Sequence, residues 1–85
     1  MKRSTFIVPW KEGLHLRPAT KIAKQAMEFE SSIRIKANKR LADARSLFSI
    51  LLLAASFGAA LDLEVTGPDE EEAIAAIAEV FHDKM

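Results

Sequence analysis

The residues best suited to do chemistry lie together in the stretch Gly13-Leu14-His15-Leu16-Arg17-Pro18-Ala19. An imidazole stands at the threshold of an expected helix, and a guanidinium follows inside its first turn. The first four backbone N–H groups of a helix have no internal partner and that end carries partial positive charge, so an anion held there gains donors and a favourable dipole. Pro18 suits such a start, because its missing N–H is not needed in the first turn and its fixed φ favours the helix. A neutral imidazole nitrogen in this place can attack phosphorus. The product would carry about two negative charges. The Arg17 guanidinium and the backbone N–H groups of Leu16 and Arg17 could then stabilise it through charge-assisted hydrogen bonds. A histidine beside a helix start also serves simply as a cap or a loop residue, and local physics leaves both roles open.

The remaining candidates carry weaker signals. Ser46 is suited to cap a second helix. His82 falls in the last turn of the final helix, where a cationic side chain complements the negative end, and it forms no motif with His15. Trp10 is expected to pack within its loop. Lys21 and Lys24 lie on the wet face of the first helix, as solvated charges or as rim charges that steer an acidic partner. Two separated histidines and no cysteine offer no metal-ligand spacing, so neither a metal nor a cofactor is expected.

These groups must be positioned by elements that the hydropathy pattern marks out. Ser4 to Val8 reads as a strand with Phe6 and Val8 on one face, stopped by Pro9. After a loop over Pro9 to Leu14, the helical spacing of Ala19, Ile22, Ala23 and Ala26 predicts a helix from Leu16 to Phe29. Ile33, Ile35 and Ala37 alternate with Arg34 and Lys36 as a half-wet strand, and Asn38-Lys39 turns it into a short strand over Arg40 to Asp43. Ser46 opens a short, apolar helix from Leu47 to Ala55, with Gly58 as a turn residue beyond it. Leu61, Leu63 and Val65 mark a fourth strand closed by Gly67 and Pro68. Asp69 and Glu72 form a capping-box-like start to a last helix, whose buried stripe is Ala73, Ile74, Ile77, Val80 and Phe81. The fold class is therefore α+β, in the order β-α-β-β-α-β-α. It is an open-faced β-sandwich, a four-stranded antiparallel sheet covered on one face by three helices.

Composition bounds the function. A chain of 85 residues with a 49% hydrophobic share suits one domain spanning 1–85. Twelve basic residues balance twelve acidic ones, which argues against a nucleic-acid partner. The longest apolar run, Leu47 to Leu61, falls short of the roughly 18 to 20 residues that span a bilayer, so no membrane association is expected. The lack of cysteine and of a signal-peptide core fits the cytoplasm.

The motif Gly13-Leu14-His15-x-Arg17-Pro18-Ala19 resembles the active-site signature of the HPr family, the histidine phosphocarriers of the bacterial phosphoenolpyruvate phosphotransferase system. The similarity extends over nearly the whole chain through Ser46-Leu47-Phe48, Gly58 and Thr66-Gly67-Pro68-Asp69-Glu70-Glu71-Glu72-Ala73. That last run resembles the nitrogen-related branch called NPr. The resemblance implies a phosphocarrier rather than an enzyme with its own turnover. His15 would accept a phosphoryl group on Nδ1 from enzyme I, which draws it from phosphoenolpyruvate, and would pass it to an enzyme IIA-type acceptor. Arg17 would help hold the phosphate. Partner docking would fall to Leu47, Phe48, Leu51 and Lys24, and Ser46 would be the residue that an HPr kinase/phosphorylase modifies in some members.

Two positions depart from the family's habit. Glu12 brings a carboxylate to a loop position that is more often small or neutral, where it could oppose the phosphoryl charge, and Leu16 fills a site often small or hydroxylated. The expected protein is a monomer serving sugar uptake or a nitrogen-type regulatory relay. Two other classes stand beside it: a regulatory interaction module of the same fold, switched by phosphorylation, and a ligand-binding α+β domain with a structural His15.

Overall fold

Alternating side chains build the sheet in this computed structural model, which describes residues 1–83. Strand β1 (Lys2–Ile7) pairs with β4 (Ala60–Thr66), β4 with β2 (Ser32–Ala37), and β2 with β3 (Arg40–Asp43), all antiparallel, in the order β1-β4-β2-β3. On the covered face, Ile33 lies opposite Val65, Ile35 opposite both Leu63 and Ala42, and Phe6 opposite Leu61. All but Phe6 are buried, whereas Arg34, Lys36 and Asp62 between them face water. A one-residue slip would turn these apolar sets into solvent, so burial itself fixes the register.

Helices α1 (Leu16–Ala26), α2 (Leu47–Leu52) and α3 (Glu70–Phe81) complete the expected β-α-β-β-α-β-α order. Helix α1 packs against α3 and α2, burying Pro18, Ala19, Ile22, Ala23 and Ala26. Helix α3 buries Ala73, Ile77, Val80 and Phe81, with Ile74 half-buried beside them. Among the described residues no helix is long and apolar enough to cross a membrane.

The boundaries differ from the sequence-based expectation where long-range partners intervene. Strand β1 starts at Lys2 rather than Ser4 because β4 is long enough to pair with it there. Helix α1 stops at Ala26 rather than Phe29. Met27 N–H still reaches Ala23, but the two amides after it reach back only three residues, from Glu28 to Gln25 and from Phe29 to Ala26, and the freed Phe29 carbonyl accepts from the Arg45 guanidinium. Helix α2 ends at Leu52 rather than Ala55, because Ala54 takes φ +51° and the Asn38 amide donates to the Leu53 carbonyl at 2.8 Å.

The expected capping box at α3 does not form. The Asp69 side chain makes no cap hydrogen bond and instead accepts from the backbone N–H groups of Glu30 and Ser31, each at 2.9 Å, and from the Ser31 hydroxyl. Asp69 thus clips the α1–β2 connection to the start of α3. Gly67 lies tight against that clip, since a Cβ there would fall 2.6 Å from Ser31 Cα.

The Ser31 hydroxyl, followed by the Glu30 N–H, holds the Asp69 carboxyl below its ordinary value of 3.8. The Gly67 N–H, and behind it the N-terminal ammonium, lowers Glu70 in the same way. A carboxyl that releases its proton more readily when folded contributes stability above its unfolded pKa, and that contribution is lost as pH falls through the folded value. Urea midpoints should therefore drop as pH falls below about 4. Asp69→Asn should lower the neutral-pH midpoint and flatten that decline; an unchanged acid limb would remove Asp69 as its source.

Candidate functional site

The site begins where β1 runs out. Val8 exchanges backbone hydrogen bonds with Ala59 and Gly58, each at 2.9 Å, and Pro9 then ends the ladder. Residues Trp10 to Gly13 close a turn through Gly13 N–H to the Trp10 carbonyl at 2.8 Å, and Leu14 N–H donates to the Ala55 carbonyl at 2.8 Å. Gly13 sits at φ +75°, and a Cβ on it would fall 2.6 Å from the Ala55 oxygen. Only glycine meets both conditions without strain. The Ala55 carbonyl, just beyond the end of α2, is what anchors the loop that carries His15.

His15 is the N-cap of α1 by backbone, with φ −87° and ψ −173°, and its carbonyl accepts from Ala19 N–H at 3.0 Å. Its imidazole makes no cap hydrogen bond, so the side chain is not used for capping. The ring is 28% exposed, and Nδ1 lies 3.8 Å from Glu12 Oε2. No acidic residue occupies the first turn of α1, and the N–H groups of Leu16 and Arg17 have no partner among the described residues. The positive end of the helix is therefore free to receive an anion beside His15. Arg17 is exposed, makes no ion pair among the described residues, and lines the same cavity as His15.

The other wall comes from the end of α3. Trp10, expected to pack within its loop, is 4% exposed and stacks on Phe81 with centroids 5.1 Å apart, while its Nε1–H donates to the Asp83 carbonyl at 2.9 Å. The Asp83 carboxylate pairs with Lys21, so α1, α3 and the site loop are tied at one corner. His82 is the C-cap of α3 rather than part of its last turn, and it lines the cavity with His15. His82 lies 67 positions after His15 in the chain, so no spacing rule could have found this. Among the described residues no grouping of His, Asp and Glu could hold a metal ion.

The residues expected to dock a partner separate by exposure. Phe48 is 77% exposed and Leu52, four residues on, is 64% exposed, whereas Leu47 and Leu51 are half-buried against the core. Leu52 was absent from the sequence-based set because an almost wholly apolar helix hides which side faces out. Leu16, Thr20 and Lys24 follow one another at four-residue spacing on α1, with Leu16 59% exposed and Lys24 exposed. Ser46 caps α2, its hydroxyl accepting from Ser49 N–H at 3.3 Å.

With this geometry in hand, comparison with known proteins is specific. The family model described as "PTS HPr component phosphorylation site" matches residues 2–83. The phosphocarrier protein HPr of Cupriavidus necator is 39% identical over 85 residues, covering 100% of this chain and 94% of its own. That of Mycoplasma capricolum is 34% identical over 83 residues, covering 98% and 93%. The crystal structure of HPr from Thermoanaerobacter tengcongensis superposes with a TM-score of 0.90 at 34% identity, covering 100% of both chains.

Proposed function

The chain belongs to the HPr family of phosphocarrier proteins, and from that premise we propose that His15 takes a phosphoryl group from enzyme I and yields it to an enzyme IIA-type acceptor. The observation that carries this assignment is an accessible imidazole, free of capping duty, at a helix N-terminus with two unpartnered N–H groups and Arg17 on the same cavity. In loading, the Nδ1 lone pair attacks phosphorus while the bond between phosphorus and the donor atom breaks, and the donor atom keeps the electron pair. Arg17 and the N–H groups of Leu16 and Arg17 then hold the phosphoryl oxygens until a nucleophile of the acceptor attacks the same phosphorus. The protein is a covalent intermediate in this relay and has no turnover of its own.

Docking falls to Phe48, with Leu47 and Leu51 shaping its base and Lys24 contributing rim charge. A phosphate added by a kinase to Ser46 would place about two negative charges two residues from Phe48 and oppose an acidic partner. The carrier acts as a cytoplasmic monomer, and the run Thr66 to Ala73 favours a nitrogen-type relay over sugar uptake. Onward transfer tests the assignment. Protein loaded with labelled phosphate and separated from enzyme I should pass the label to an isolated enzyme IIA-type acceptor; label that stays on the chain with either branch's acceptor would contradict the carrier role.

A further inference from the structure

We propose that Glu12 sets the transfer potential of this carrier by competing with the phosphoryl group for the Nδ1 side of His15. The proposal rests on the loading of Nδ1 given above. Glu12 occupies the turn that Gly13 N–H closes onto the Trp10 carbonyl, which holds its backbone close before the N-cap. From there its Oε2 reaches to 3.8 Å from Nδ1, and among the described residues the carboxylate has no other ion-pair or hydrogen-bond partner. Asp83 also borders the cavity, but its carboxylate is engaged by Lys21. Glu12 is thus the unengaged negative charge nearest the nitrogen that loads.

Its effect falls on the loaded state of the site. With His15 unmodified, the carboxylate faces Nδ1 with no phosphoryl charge to oppose. Once the P–Nδ1 bond forms, the phosphoryl oxygens occupy that side of the ring, and a carboxylate 3.8 Å from the bonded nitrogen becomes a like charge. Arg17 and the helix end bind the phosphoryl group while Glu12 repels it, so the loaded carrier is a more potent donor than the same site without Glu12. Because Glu12 is 79% exposed, water and salt screen the repulsion, and the expected effect is modest.

Equilibrium loading tests this. With catalytic enzyme I and graded ratios of phosphoenolpyruvate to pyruvate, intact mass gives the fraction of chain loaded. Glu12→Gln should raise the equilibrium constant for loading about three- to tenfold at low ionic strength, and the gain should shrink at about 1 M salt. Glu12→Asp should stay nearer the wild type. Equal or weaker loading of Glu12→Gln, or a gain indifferent to salt, would overturn the proposal while leaving the carrier function standing. A wild-type chain that gains no phosphoryl group would remove that function and this proposal with it.

Discussion

Gly13→Ala is expected to destabilise the domain by about 3 kcal/mol and to slow phosphoryl uptake in whatever fraction remains folded. A residue with a Cβ at φ +75° costs roughly 1–2 kcal/mol. The new methyl would also stand 2.6 Å from the Ala55 oxygen, forcing the loop away from the carbonyl that Leu14 N–H now uses. Loss of that hydrogen bond adds about 1 kcal/mol. For a domain of this size the melting temperature should fall by about 15 °C. The functional loss has a separate cause, since the same shift moves His15 away from Arg17 and the open end of α1. A thermal melt together with a loading rate would separate the two effects, and a melting temperature within about 3 °C of the wild type would show that the loop gives way freely.

Phe48→Asp is expected to have the largest kinetic effect of any surface change, reducing the rate of uptake from enzyme I about tenfold to a hundredfold. An aromatic ring 77% exposed contributes little to the core, so the melting temperature should hold. At an interface the same ring is the kind of anchor that carries binding free energy, and a carboxylate in its place would be desolvated without a partner. Loss of folding would instead make Phe48 a core residue, and normal uptake with normal folding would place docking elsewhere.

How much of this was legible in the sequence depends on the range of the interactions involved. Strand β2 and the Asn38-Lys39 turn could be read locally, because alternation and tolerance of positive φ are properties of adjacent residues; Asn38 and Lys39 do take φ of +51° and +62°. The threshold position of His15 was also local. The early end of α2 was not, because Ala54 adopts a conformation that its side chain gives no reason to expect and that is accompanied by the Asn38–Leu53 contact 15 residues apart. Asp69 spaced three before Glu72 looked like a cap, yet the free amides of Glu30 and Ser31, 39 and 38 residues away, took its carboxylate. His82 at the cavity, Trp10 beneath Phe81, and the outward side of α2 all depend on how α3 and α2 seat on the sheet. Periodicity says that a helix has a buried face; for Leu47 to Leu52, with one serine among six residues, it could not say which face that is.

The central claim is that His15 carries the phosphoryl group, and it is tested most directly by intact mass after incubation with phosphoenolpyruvate, magnesium and enzyme I. The wild-type chain should gain one phosphoryl group that acid removes, and folded His15→Ala should gain none. A folded wild-type chain that gains nothing beside active enzyme I, or a His15→Ala chain that gains the same mass, would contradict it.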